Sequence, residues 1–292
     1  MDIRYADGSL QKEFYRDKDV KDGYLSFDKG IPFIRFHSLE ELDWLEAGFS
    51  TRLGGVSQDY LSSLNLRLSS EDSKENLHEN YRRCAKVFES DLSHLIVMEQ
   101  VHGIRVVEAD PVMVLGEDLS GRAHETDGII TKEKELVLSG TYADCVPIFL
   151  AERRNHQVGM VHSGWRGSVG KIGEKAVQMM CQAPGTAPSD IIAVIGPSIS
   201  QANYEVTGEV VDQFTKIFSS SDLDIIAEKT DEVHYQLDLW AACFLYLNQA
   251  GIPEEQIHFS GICTFDNPEI FYSHRYTNGR RGNMNGFIKR IS

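Results

Sequence analysis

The chain has 292 residues, 41% hydrophobic and 25% charged, with 44 acidic residues against 29 basic ones and a formal net charge of −15. That length suits one large domain or two small ones with a substantial core. The negative balance opposes nonspecific binding to nucleic acid or to anionic membranes, while leaving room for a local basic pocket for a small anion.

Residues 1–25 are dense in charge and read as an N-terminal extension with weak structure, ahead of a catalytic domain over 26–292. The first residues lack the basic and then apolar pattern of a secretory signal. Strands are expected at 31–36 and 47–50, followed by a glycine turn, Thr51-Arg52-Leu53-Gly54-Gly55-Val56-Ser57. Ser73 reads as the N-cap of a helix over 74–89, in which Leu77, Tyr81, Cys84, Ala85 and Phe88 recur at helical spacing. Short strands follow at 95–98 and 104–107, with Gln100-Val101-His102-Gly103 between them, and the alternation continues at 128–130 and 136–138. Residues 146–150 form a further strand, whose Pro147 argues for a strand start or an edge.

The run Val158-Gly159-Met160-Val161 reads as a buried strand. It delivers the loop His162-Ser163-Gly164-Trp165-Arg166-Gly167, and a helix is expected over 171–182. Strand 191–195, amphipathic helices at 209–218 and 237–250, and a late strand at 257–263 complete the periodic elements. The C-terminal segment, rich in Arg, Gly and Asn, carries no clear period. No repeat or low-complexity linker interrupts the chain, and no apolar run approaches the roughly 20 residues that span a bilayer. The expected fold class is α+β: a single domain, layered α/β/β/α, with mixed sheets and helices outside them.

Five cysteines, Cys84, Cys145, Cys181, Cys243 and Cys263, occur at irregular spacing without a Cys-x-x-Cys pair. This argues against a disulfide framework and for a reducing, cytoplasmic setting. Three segments each place a borderline or soft metal ligand beside a tight turn: His102, Cys145 in Tyr142-Ala143-Asp144-Cys145-Val146-Pro147, and His162. Two imidazoles and a thiolate make a zinc triad that keeps its fourth position for water or substrate, and copper also accepts nitrogen and sulfur ligands. The spacing of Cys145 and His162 fits neighbouring strands that end on the same side. Arg52 and Arg166, each in a glycine turn, are candidates for phosphate through their fork geometry, with surface charge or a structural ion pair as the alternative. Asn65 and Gln100 are candidates for hydrogen bonds to a small-molecule ligand, with backbone capping as the alternative. Asp144 is a candidate to orient a ligand histidine, or a cap for the turn before Cys145. His274 could line the pocket. The other seven histidines, His37, His78, His94, His124, His156, His234 and His258, lack partner spacing and read as surface or satisfied core positions.

The blocks Gln100-Val101-His102-Gly103, Ala143-Asp144-Cys145-Val146-Pro147 and His162-Ser163-Gly164-Trp165-Arg166-Gly167 together resemble the YfiH family, also called the laccase-domain, polyphenol-oxidase-like or peptidoglycan editing factor family. The Phe49 to Ser57 turn, Leu64-Asn65-Leu66, Ile195-Gly196-Pro197-Ser198-Ile199 and Tyr272-Ser273-His274-Arg275 extend the likeness over about residues 30–290. The resemblance implies a purine nucleoside phosphorylase that cleaves adenosine or inosine with phosphate, together with methylthioadenosine phosphorolysis and adenosine deamination. It also implies metal ligands at His102, Cys145 and His162, with zinc expected and copper possible. Its partners would be nucleoside and phosphate, with no nucleic acid and no membrane. Two positions depart from the pattern: Asn203 stands where a Cys is expected, and the block from Gly279 to Phe287 is longer than usual. A copper-dependent polyphenol oxidase, a cysteine hydrolase or peptidoglycan-precursor editing enzyme with Cys145 as nucleophile, and a binding protein without chemistry are the competing readings. The paired His-x-His motifs of a full multicopper oxidase are absent from the sequence.

Overall fold

The computed structural model describes residues 2–6, 13–16, 18 and 20–292. Two six-stranded mixed sheets form its centre. The first runs β1 (Gly23–Asp28), β2 (Ile31–Phe36), β3 (Leu45–Ser50), β15 (Met284–Arg290), β7 (Val137–Tyr142) and β4 (Leu95–Val97), with only the β4–β7 pair parallel. The second runs β14 (Ile257–Phe259), β10 (Ile191–Ile195), β8 (Val146–Glu152), β9 (Gln157–Ser163), β6 (Gly128–Thr131) and β5 (Val106–Glu108), with parallel pairs at its two edges. A small third sheet joins β11 (Glu205–Thr207), β13 (His234–Leu237) and β12 (Ala227–Lys229). The helices among the described residues are α1 (His37–Glu40), α2 (Lys74–Val87), α3 (Trp165–Val169), α4 (Ile172–Met180), α5 (Gly208–Phe214), α6 (Ser220–Ile226) and α7 (Leu239–Gln249). None is long and apolar enough to cross a membrane.

Side-chain alternation along the strands explains the layering. In β8, Ile148 and Leu150 point with Val161 and Ile195 into a core shared with α4 and α7. Phe149 and Ala151 point the other way, into a core between the sheets that includes Met160, Val194, Phe36, Leu138, Met284 and Ile288. Both faces are therefore covered, and β8 and β9 are buried along their whole length. The outer face of the first sheet, through Phe33, Val97, Val137 and Phe287, packs on Leu77, Tyr81, Cys84, Ala85 and Phe88 of α2 and its C-cap. The order α2, sheet, sheet, α4 with α7 is the expected α/β/β/α sandwich. Ser73 caps α2 as its sequence requires, accepting from the Asn76 amide at 3.1 Å.

Three expectations change, and a fourth, at Pro147, resolves to one of its two alternatives. The C-terminal segment expected to lack a period contains β15, which sits between β3 and β7. Residues 165–169, read as loop, form α3, a single turn and a half that starts directly beyond β9. Pro147 lies in the second position of a central strand, a strand start and not an edge, and its carbonyl accepts from Gly196 at 2.8 Å. Within the proposed weakly structured extension, β1 already begins at Gly23. Tyr5 bridges Ile262, and the buried Tyr15 hydroxyl donates to Asp238 at 3.0 Å. Residues 1, 7–12, 17 and 19 of that segment lie outside the described residues.

Candidate active site and metal centre

The antiparallel pairing of β8 with β9 sets Pro147 opposite His162 and Val146 opposite Ser163. Cys145, one residue before β8, therefore lies beside the end of β9 where His162 points. The third segment arrives from the loop after β4, where His102 takes a left-handed backbone conformation with φ 58°. The ligand atoms of His102, Cys145 and His162 all lie within 4.8 Å of one another, and the two imidazoles meet edge to face with ring centroids 4.8 Å apart. His162 is buried, Cys145 half-buried and His102 exposed, so the cluster opens on one side.

One carboxylate ties two of these segments together. Asp127, fully buried, accepts from the backbone amides of Val101, His102 and Gly103 at 3.2, 3.0 and 2.8 Å, and pairs with Nδ1 of His162 at 2.8 Å. The Asp127 carbonyl also accepts from the His162 amide at 2.7 Å. Nδ1 being engaged, Nε2 is the nitrogen left to ligate. Asp144, expected as a partner for a histidine, does something different: it accepts from Thr264 Oγ1 at 2.7 Å, Ser273 Oγ at 3.0 Å and the Arg275 amide at 2.7 Å. It pins the 264–275 segment against the turn before Cys145, so the orienting role falls to Asp127.

Burial alone pushes the Cys145 thiol up, but the His162 charge and hydrogen bonds from both imidazoles outweigh it and bring the thiol below its ordinary range. Burial pulls His162 toward neutrality, and the Cys145 and Asp127 charges and hydrogen bonds reverse this and raise it. The donor set fits a metal ion on these grounds: two imidazoles, a thiol biased toward thiolate, and a carboxylate behind one imidazole.

Two cavities meet at the triad. One, of about 450 Å³, is lined by Arg67, Gln100, Arg122, Arg281 and Asn283 together with all three triad residues. The other, of about 320 Å³, is lined by Ile199, Tyr204, Leu239, His274 and Arg275, and shares His102, Cys145 and Arg281 with the first. Gln100 does line the first cavity, but its amide is engaged with Thr141 on both sides, donating to the carbonyl and accepting from the amide and hydroxyl at 2.8–2.9 Å. Arg52 reaches neither cavity. It donates to the Ser62 and Pro268 carbonyls and lies over the Tyr272 ring at 4.6 Å. Asn65 is fully buried, donates to Ser70 and Asp72, and accepts from the Arg67 and Asn283 amides, so it shapes the wall. Arg166 stacks on Trp165 at 4.2 Å and lines a separate groove between α3 and α5. Arg67, Arg122 and Arg281 are the cavity arginines that one-dimensional reading overlooked. Arg67 follows Leu64-Asn65-Leu66 and Arg281 lies in the extended C-terminal block, which are the two signals that pointed toward them. Asn203, outside both cavities, donates to Asp266 at 3.0 Å and to Cys263 at 3.5 Å. His78, His94 and His234 pair with surface carboxylates, as expected for histidines away from the site, while His124 pairs with Glu99 at the rim of the first cavity.

Residues 46–291 match the family model described as multi-copper polyphenol oxidoreductase laccase. The chain is 40% identical over 249 residues to a protein of Bacillus subtilis (strain 168) named purine nucleoside phosphorylase YlmD, covering 83% of this chain and 87% of the relative. The crystal structure of YlmD from Geobacillus stearothermophilus superposes with a TM-score of 0.84 at 31% identity, covering 89% of this chain and 96% of that one. The crystal structure of a Bacillus licheniformis hypothetical protein YfiH superposes with the same TM-score at 29% identity, covering 92% and 99%.

Proposed function

The chain belongs to the multi-copper polyphenol oxidoreductase laccase family, and from that premise we propose that it is a purine nucleoside phosphorylase acting on adenosine, inosine and methylthioadenosine. The observation that carries this reading is the meeting of two unlike cavities at one His-Cys-His cluster. A cationic chamber suits an anionic co-substrate, and a chamber walled by Ile199, Tyr204 and Leu239 suits a flat base. The names of the relatives support it. In phosphorolysis a phosphate oxygen forms the new bond to the anomeric carbon. The glycosidic carbon–nitrogen bond breaks, and its electron pair leaves with the purine, which is then protonated. The chain contributes by holding the two reactants in line across the cluster and by placing cations beside the attacking oxyanion.

His102, Cys145 and His162 would hold the metal, with zinc as the proposed ion and copper as its competitor. When bound, it would supply a Lewis acid and a water of lowered pKa, which is the requirement for adenosine deamination as a companion activity. Five free cysteines support a reducing, cytoplasmic setting. Metal-loaded protein given inosine and phosphate is expected to release hypoxanthine and ribose 1-phosphate, and no release from folded, loaded protein rejects the reading.

A second reading rests on the Asp127–His162 pair at 2.8 Å beside a thiol of lowered pKa. Nucleophile, base and orienting carboxylate are then in the order a cysteine hydrolase uses. Activity that survives chelation and is abolished by alkylating Cys145 selects this reading over the first.

A further inference from the structure

The geometry assigns a phosphate-binding site to Arg67, Arg122 and Arg281, an assignment that rests on the phosphorolytic reading and gives its anion a place. The three come from separate segments: the loop before α2, the loop before β6 and the loop before β15. All are half-buried and line the same cavity beside the triad. None has a carboxylate at ion-pair distance among the described residues, although acids outnumber bases in the chain by 44 to 29. The only acid on the cavity wall, Glu99, is paired with His124 at 2.7 Å.

Their donors remain largely uncommitted. The Arg67 side chain donates only to Ser69 Oγ at 3.4 Å, and that of Arg122 only to the Gly121 carbonyl at 2.7 Å. Arg281 reaches Asn283 Oδ1, the Gly282 carbonyl and His274 Nδ1, while its buried Nε has no acceptor. Burial and the neighbouring Arg67 charge outweigh the Asp144 and Cys145 charges and disfavour the Arg281 cation, an imbalance that an oxyanion beside it relieves. Guanidinium forks match phosphate oxygens in pairs, and a cluster without a carboxylate at ion-pair distance keeps an attraction for one. Arg281 also lines the second cavity, so it stands where phosphate and nucleoside meet. Arg52 and Arg166 are not part of this site: Arg52 donates to carbonyls outside the cavity, and Arg166 lines a separate groove.

Titration calorimetry of inorganic phosphate into the metal-loaded protein, with sulfate as competitor, tests the assignment without requiring turnover. Arg122→Ala and Arg281→Ala are expected to weaken phosphate binding roughly ten- to a hundred-fold, the range for losing a charged hydrogen bond. Arg166→Ala is expected to leave it unchanged. Arg67→Lys and Arg122→Lys keep the charge and the fold while losing the fork, and are expected to fall between these limits. Metal content and near-ultraviolet dichroism identify variants that are folded. Wild-type phosphate affinity in folded Arg122→Ala and Arg281→Ala overturns the assignment, as does a loss of binding in Arg166→Ala equal to theirs. Phosphorolysis with an unchanged KM for phosphate in those variants also overturns it while sparing the function. Phosphate binding that depends on these arginines, in a protein without phosphorolysis, supports the site and rejects the function.

Discussion

Asp127→Asn is the sharpest single perturbation of the centre. The carboxylate collects four donors, three backbone amides at 2.8–3.2 Å and His162 Nδ1 at 2.8 Å. Asparagine of the same shape offers one acceptor oxygen, and its amino group faces the remaining donors whichever way it is turned. Two of the four contacts must then fail. At about 1.5–3 kcal/mol for each bond to a charged acceptor, the gross loss is about 3–6 kcal/mol. Residues 101–103 are partly exposed and water can satisfy their amides, so the net loss of stability is expected nearer 2–3 kcal/mol. Zinc affinity is expected to fall roughly 10–100-fold, because His162 loses the partner that fixes its ring and tautomer.

The assays are chemical denaturation of the metal-free protein and competition for zinc against a chromophoric chelator. The pH dependence fixes the sign. Burial raises the Asp127 carboxyl, but His162 and the backbone amides outweigh it and hold it below the ordinary carboxylate value. Its stabilisation is therefore complete above the unfolded pKa of about 4 and is lost as pH falls through the lower folded value. The gap between wild type and variant should accordingly be flat from neutral pH down to mild acid and close only below it. A folded Asp127→Asn protein that binds zinc within about twofold of wild type would refute the claim that this carboxylate positions the ligands, since outer-shell partners of that kind are worth at least tenfold.

Gly164 has φ −72°, open to any residue, yet a Cβ there would lie 3.1 Å from Cys145 Sγ and 3.5 Å from His102 Cδ2. Gly164→Ala is expected to leave stability within about 1 kcal/mol of wild type and to lower turnover about tenfold or more through displaced ligands, and a fully active Gly164→Val refutes the steric argument. Arg52→Ala is expected to cost about 1–3 kcal/mol in denaturant melts by orphaning the Ser62 and Pro268 carbonyls, with KM for phosphate unchanged, and the reverse pattern restores the role its sequence context implied. In the metal-free protein, thiolate absorbance from Cys145 is expected to persist below the ordinary thiol range of about 8.5. His162→Asn is expected to drive its midpoint upward, since the largest influence opposing burial is then lost and only His102 remains. A midpoint that does not move shows that the histidine is not the cause.

The His102, Cys145 and His162 cluster was legible in the sequence because each member is announced by its neighbours: a strand of apolar residues, a tight turn, and a residue type with few other reasons to be there. The helix over α2 was legible for the same reason, as Ser73 supplies a cap and five buried positions keep one face. β15 was not. Asn285 and Lys289 interrupt its apolar pattern, and both are buried only because the fold brings Ser139 and Tyr81 to the first, and the Phe88 carbonyl and Glu135 to the second. Asp127 was hidden because its four donors come from residues 24 to 35 positions away. The cavity arginines were hidden because an arginine in a loop looks the same whether it faces solvent or a ligand. What separates Arg281 from Arg52 is which carbonyls lie within reach, and that is decided by tertiary packing alone.

The same packing resolves a conflict of charge that the composition poses. A chain at −15 should repel phosphate, and a site that gathers a thiolate and a carboxylate should repel it further. The described structure separates the two demands in space. Asp127 and Asp144 are buried against backbone amides, hydroxyls and His162, so fixed donors compensate their charge, Asp127 behind His162 and Asp144 at the wall of the second cavity. Arg67, Arg122 and Arg281 face the first cavity without a carboxylate at ion-pair distance among the described residues. Exposed surface charge fades over a screening length of about 8 Å at physiological salt, whereas half-buried charges are screened much less. On the phosphate assignment proposed above, the global charge governs solubility and the exclusion of polyanions, while the local arginines govern what enters the site. An acidic protein can in this way recognise a small anion, provided its carboxylates are occupied in holding the fold and its cations are left free to hold the ligand.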